Sequence, residues 1–201
     1  MRGATEVAPQ LLGKLLCRRT EEGLAAGMIV ETEAYCGPED DGAHSFGGRM
    51  TQRTRAMFGP GGRAYLFRIY GMHCCFNAVT GREGQPQAVL IRALEPVEGL
   101  ALMEKRRGLT DPRQLCSGPG KLCQALEITM DLYGCDLRGE ELFIREYRDF
   151  SPEQICVSPR VNIDYAQRYR DRLWRFTLKD SPFVSRVPHR YAPQGTLADL
   201  T

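Results

Sequence analysis

The segment AYLFRIYGMHCCFNAVT, Ala64 to Thr80, decides the fold class. Two runs rich in aromatic and β-forming residues meet at Gly71, which reads as two strands joined by a tight turn. Strands joined so closely pair antiparallel. Working outward, Ala25 to Tyr35 reads as a strand around Met28, Ile29 and Val30, and Ala88 to Leu94 as another, ended by Pro96. Residues 141–145 and 172–178 are further strand candidates, and Arg160 to Asp164 is a short one. Helical spacing occurs at 9–18, with Leu11, Leu12, Leu15 and Leu16 inward, and again from Val97 to Arg107. Ser117-Gly118-Pro119 opens a helix reaching about Leu126, and Pro38-Glu39-Asp40 resembles a first helical turn. Strands and helices do not alternate as βαβ units. The expected fold is therefore α+β: a single mixed domain over residues 1–201, with a curved antiparallel β-sheet core flanked by helices.

The chain has 201 residues, 42% hydrophobic and 26% charged, an ordinary balance for a globular protein. Its formal net charge of +2 hides an asymmetry. Between Gly42 and Arg82 stand Arg49, Arg53, Arg55, Arg63, Arg68 and Arg82, with no acid or lysine among them. That segment alone holds +6, so the rest of the chain sums to −4. Such a cluster is either a solvated surface or a contact face for a polyanion.

Eight cysteines, at positions 17, 36, 74, 75, 116, 123, 135 and 156, allow four disulfides by count. The chain is longer than the usual disulfide scaffold, and Leu15-Leu16-Cys17 and Cys74-Cys75-Phe76 place thiols in apolar runs. Reduced, buried thiols are the preferred reading, and they imply a reducing compartment. There is no C-x-x-C pair, and His44, His73 and His189 are too scattered for zinc-finger spacing. No metal or cofactor is expected. No stretch resembles a signal peptide or reaches membrane-spanning length. The expectation is an intracellular protein without membrane association, in cytoplasm or nucleoid if bacterial and in the nucleus if eukaryotic.

On an extended strand, Glu31, Glu33 and Tyr35 share one face. Acids on a strand face are most often a solvated edge. Glu33 stands out because a tyrosine lies beside it and Gly37-Pro38 ends the strand at once. In the hairpin, Tyr65, Phe67 and Ile69 share one face, as do His73, Cys75 and Asn77. Tyr70, just before Gly71, is either a core ring at a strand end or a projecting one suited to base stacking.

Several ordered blocks resemble the alkyladenine (3-methyladenine, or N-methylpurine) DNA glycosylase family. They are Glu33-Ala34-Tyr35-Cys36-Gly37-Pro38-Glu39-Asp40, Ala43-His44-Ser45, Thr51 to Phe58, Ile69-Tyr70-Gly71-Met72, Leu90 to Pro96 and Leu115 to Leu126. Together they cover roughly residues 9–130, with an echo at Ser181 to Ser185. The resemblance implies a monofunctional glycosylase that flips alkylated or deaminated purines out of double-stranded DNA and hydrolyses the N-glycosidic bond. It assigns Glu33 as the base that activates water and Arg92 as a residue near the water and the phosphate backbone. Tyr35 and His44 would sandwich the flipped base, with Phe67 opposite, and Asn77 would disfavour guanine. Tyr70 would fill the vacated stack. Met72, His73, Arg53, Arg55, Ser117, Gly118 and Lys121 would meet the DNA backbone. The chain departs from better-known vertebrate members at Phe67 and His73, where tyrosine is familiar, which bears on lesion range. The expected partner is damaged duplex DNA, bound by a monomer. Two competing readings are a non-catalytic nucleic-acid-binding module using the same basic aromatic face, and a metal-dependent hydrolase built on the cysteines and histidines. Nothing between about 130 and 180 carries a motif to which a role attaches.

Overall fold

The computed structural model describes residues 2–69 and 71–200. Tyr70, the expected intercalating ring, lies outside them. Among these residues one sheet has eight strands: β1 (Leu15–Thr20), β2 (Gly23–Tyr35), β3 (Ala64–Ile69), β4 (His73–Thr80), β5 (Gln87–Glu98), β6 (Leu142–Arg145), β7 (Ile155–Ser158) and β8 (Arg175–Leu178). Four α-helices flank it: α1 (Ala4–Leu11), α2 (Leu100–Arg107), α3 (Pro112–Leu115) and α4 (Pro119–Leu126). Strands run in the order β3-β4-β5-β2-β1-β6, with β7 pairing β8 and β8 pairing β2. Each pairing is antiparallel, so the fold is α+β around a curled antiparallel sheet. No helix among the described residues is long and apolar enough to cross a membrane.

The 13-residue β2 organises the sheet. One edge pairs with β5 from Ala26 to Tyr35. The other edge pairs first with β1, over Gly23 to Met28, and then with β8, over Glu31 to Glu33. The sheet therefore forks halfway along this strand. At the fork the β2–β5 register shifts twice, skipping Val30 on one strand and Arg92 on the other. Extra residues in a ladder bend the strand and increase its twist, which curls the sheet here.

Strand alternation then separates two surfaces. Leu66, Phe76, Ala78, Val89, Ile91, Thr32 and Ala34 are buried on the helix-covered side, where Thr32 Oγ1 donates to the Ala8 carbonyl of α1 at 2.9 Å. Glu33 and Tyr35, Tyr65 and Phe67, Cys75 and Asn77, and Leu90 and Arg92 alternate with them and face the other way. A second apolar cluster of Met57, Tyr65, Val79 and Ala88 lies on that face.

Several local expectations change. The helix expected at 9–18 ends at Leu11, and Leu15 opens β1. Gly13, at φ +85°, turns the chain, and β1 finds partners along both edges, β2 and β6. Leu15 and Leu16 are both buried, since a strand covered on both faces produces the continuous apolar run that helical spacing also fits. β5 continues through Pro96 to Glu98, because β4 pairs only with Gln87 to Leu90 and the other edge is free of ladder bonds there. Arg160 to Asp164 forms turns, and the strand lies just before it at β7. Pro38-Glu39-Asp40 is a turn, closed by Asp40 N–H donating to the Gly37 carbonyl at 3.1 Å, with no helix following.

Where β2 crosses β5, Gly27 has no room for a side chain. A Cβ there would meet Leu94 Cβ at 2.8 Å and the Glu95 carbonyl at 3.1 Å. Gly27→Ala is expected to destabilise the fold by about 1–3 kcal/mol through overpacking. Urea denaturation measures this, and an unchanged midpoint would contradict the close approach.

Candidate active site

The face opposite the helices lines one cavity of about 660 Å³. Tyr35, His44, Phe67 and Asn77 are all on its wall, and Arg92 reaches it from β5. Two further segments complete it, Gly118 and Lys121 at the start of α4 and Val161 and Tyr165 from the long loop after β7, and β4 adds His73 beside Asn77.

Glu33 is fully buried and does not itself line the cavity. Tyr35 Oη donates to its Oε2 at 2.9 Å, and the Val161 backbone N–H donates to its Oε1 at 2.7 Å. Arg92 Nη1 stands 3.5 Å from the same Oε1. Tyr35, Val161 and Arg92, which contact the carboxylate, all line the cavity, so the acid sits directly behind its wall. Burial, then the neighbouring Glu33 charge, pushes the Tyr35 hydroxyl well above its usual range, so it remains a donor.

Glu31, two residues earlier on the same face, anchors a denser network. Its Oε1 accepts from Arg92 Nε at 2.9 Å, Arg175 Nε at 2.7 Å and Ser185 Oγ at 2.9 Å, and its Oε2 from Ser185 N–H at 2.8 Å. Burial alone would raise this carboxyl, but the Arg92 and Arg175 charges outweigh it and hold it below the ordinary range. Burial would likewise lower Arg92, but the Glu33 and Glu31 carboxylates reverse that and raise it. Arg92 is thus a permanent cation bridging both acids.

Beneath Tyr35 lies Arg160, also fully buried. Its guanidinium carbon is 4.7 Å from the Tyr35 ring centroid and 5.0 Å from that of Trp174, so the cation is layered between two aromatic faces. It forms a two-pronged pair with Asp40, at 2.6 and 2.8 Å. Asp40 also accepts the N–H groups of Cys36 and Gly42, both at 3.0 Å, fixing the turn that carries His44.

The His44 ring meets Phe67 edge-on at 4.6 Å between centroids. Its Nε2 lies 3.0 Å from Arg53 Nη2, which can only donate. Nδ1 must therefore carry the proton and donate to Tyr65 Oη, 2.9 Å away. Burial lowers this imidazole first and the Arg53 charge lowers it further, to about 4, so His44 is neutral. Asn77 holds its amide by donating Nδ2–H to the Tyr65 carbonyl at 3.1 Å.

The expected backbone-contact residues divide. Gly118, Lys121 and His73 line the cavity, and Lys121 Nζ reaches Ser117 Oγ at 3.3 Å. Met72 stands 75% exposed beside Gly71 at the hairpin tip, and Arg55 is exposed outside the cavity wall. Arg53, likewise exposed and not on the cavity wall, places its guanidinium against the His44 and Phe67 rings. Of the six clustered arginines, Arg49, Arg53, Arg55, Arg68 and Arg82 are exposed, while Arg63 is half-buried with Asp136 at 3.9 Å. All eight cysteines are free thiols.

A family model described as methylpurine-DNA glycosylase matches residues 1–182. The chain belongs to the methylpurine-DNA glycosylase family. It is 53% identical over 188 residues to a protein of Methanoculleus marisnigri, covering 92% of this chain and 95% of that one. It is 50% identical over 181 residues to one of Bacillus licheniformis, covering 90% and 91%. With one of Natranaerobius thermophilus it shares 46% over 187 residues, covering 92% and 94%. All three relatives carry the provisional name 3-methyladenine DNA glycosylase.

Sequence reasoning missed Arg160, Val161, Arg175 and, as a site residue, Ser185. Each meets a residue at least 120 positions away, which no local pattern displays. Only the echo at Ser181 to Ser185 pointed there. Asp40→Asn would leave Arg160 buried without its counter-charge, and a cost of about 3–5 kcal/mol is expected in urea denaturation. A change below about 0.5 kcal/mol, typical of a surface site, would contradict the assignment.

Proposed function

We propose that this methylpurine-DNA glycosylase family member flips an alkylated or deaminated purine, of the 3-methyladenine, 7-methylguanine, hypoxanthine and ethenoadenine class, out of duplex DNA. It then hydrolyses the N-glycosidic bond and leaves an abasic site. The observation that carries this reading is a buried carboxylate, Glu33, set directly behind an aromatic-walled cavity of about 660 Å³. A base inside the duplex is out of reach of such a group, so the purine must leave the stack, at about a few kcal/mol that a lesion reduces. Tyr35, His44 and Phe67 supply stacking faces for it, and rings attract cationic purines electrostatically. Exposed arginines and the hairpin tip around Met72 supply a face for the duplex, with Tyr70 as the inserted ring.

Cleavage builds positive charge on the sugar, which an adjacent carboxylate stabilises while taking a proton from water. Tyr35 Oη and the Val161 N–H fix the plane of Glu33, and each of its oxygens retains a lone pair. On this reading the attacking water reaches Glu33 from the cavity side, where Arg92 and Val161 form the wall in front of it. The alternative chemistry, a Schiff base that also nicks the strand, needs a free amine. Of the four lysines, Lys14 pairs with Glu146 and Asp149, Lys105 with Glu22, and Lys179 is not on the cavity wall. Lys121 lines the cavity at the start of α4, a setting suited to a phosphate. Simple hydrolysis is the reading this favours.

The test is base release from duplexes carrying a methylated purine or hypoxanthine, without added metal, comparing wild type with Glu33→Gln. Wild type is expected to release base, and the variant to lose at least about a hundredfold in rate with duplex binding retained. Equal release by both would remove Glu33 from the chemistry. Tight duplex binding with release by neither would favour the binding-module reading.

A further inference from the structure

Arg53 makes contacts that its neighbourhood in the sequence does not display. Its Nη2 donates to His44 Nε2 at 3.0 Å, and its guanidinium carbon lies 5.2 Å from the centroid of the Phe67 ring. Two walls of the base pocket thus share one cation. The backbone beneath it is pinned: Tyr133 Oη accepts the Ala56 N–H at 2.8 Å and donates toward the carbonyls of Gln52 and Arg53 at 3.1 and 3.0 Å. Thr51 and Thr54 close the same turn, with Thr51 N–H donating to Thr54 Oγ1 at 2.9 Å. Tyr133 itself packs edge-on against Tyr65 of the pocket face, 6.4 Å between centroids. Arg63 and Arg160 each pair with an aspartate. Among the described residues no carboxylate pairs with Arg53, so no counter-charge offsets it beside the rings.

We propose that Arg53 sets the charge selectivity of the base pocket, disfavouring cationic purines relative to neutral ones. This rests on the glycosylase reading above. A ring face that already holds a cation offers less of its quadrupole to a second, and the Arg53 charge at the pocket's edge repels a cationic base brought against those same rings. A cationic methylated purine meets both penalties. A neutral purine meets neither. By donating to Nε2, Arg53 also keeps His44 as the neutral Nδ1–H tautomer, so no second positive charge forms on the wall. Arg53 therefore opposes the preference for cations that aromatic walls alone would give.

The experiment compares single-turnover base release from two duplexes of identical context, one carrying 7-methylguanine and one hypoxanthine. Arg53→Gln keeps an N–H donor but removes the charge, Arg53→Lys keeps the charge, and Arg55→Gln removes a nearby exposed arginine outside the cavity wall. Arg53→Gln is expected to raise the methylated-to-hypoxanthine rate ratio by about five- to tenfold. Arg53→Lys should keep the wild-type ratio, and Arg55→Gln should weaken both substrates alike. If Arg53→Gln lowers both equally, the residue is a phosphate contact and the inference fails. If Arg53→Lys shifts the ratio as Gln does, geometry rather than charge is responsible, which also overturns it. Release of neither base by wild type would overturn the glycosylase reading itself, a result visible without any variant.

Discussion

Two carboxylates, Glu31 and Glu33, are buried on one face of β2, and the rest of the molecule is arranged to meet their charge. A buried carboxylate without partners costs several kcal/mol. Glu31 satisfies this with two arginines and both donors of Ser185, drawn from β5, β8 and the loop beyond β8. These contacts tie the C-terminal third of the chain to β2. Once β8 is paired there, the loop that precedes it must pass over the same face, and it brings Arg160 under Tyr35 and the Val161 N–H onto Glu33. The forked sheet and the candidate site thus have a common cause.

Buried ion pairs are weak evidence for stability, since hydrophobic replacements often do as well. Their value here is placement. Arg92 is held between Glu31 at 2.9 Å and Glu33 at 3.5 Å, so one carboxylate fixes the cation that faces the other. Tyr35 is similarly fixed from two sides, by its bond to Glu33 and by the Arg160 cation against its ring. A group held this firmly needs little reorganisation when charge develops beside it, the condition under which electrostatic catalysis is strongest.

The elements legible in the sequence were those whose signals are local. The 64–80 hairpin has strand formers on both sides of a turn glycine, and β2 alternates acid and apolar residues, so the grouping of Glu31, Glu33 and Tyr35 on one face followed from period alone. The grouping of Tyr65 with Phe67, and of Cys75 with Asn77, followed the same rule. Leu15 and Leu16 were misassigned because their strand is decided by pairing on both edges, with the adjoining Gly23 to Met28 and with the distant Leu142 to Arg145. The contacts of Arg160, Val161 and Arg175 were invisible for a related reason: no pattern near them records a carboxylate 120 or more residues away. Arg53 was assigned to the DNA backbone by the family resemblance, and its contacts with the His44 and Phe67 rings are ones that no local pattern displays.

The central claim is that the Glu33 carboxylate, behind the cavity floor, stabilises positive charge developing on the sugar. Its most direct test is binding to two duplexes, one with a cationic pyrrolidine in place of the target sugar and one with a neutral tetrahydrofuran. Transition-state complementarity predicts that wild type prefers the cationic duplex by about tenfold or more and that Glu33→Gln loses this preference. An equal preference in both proteins would contradict the claim.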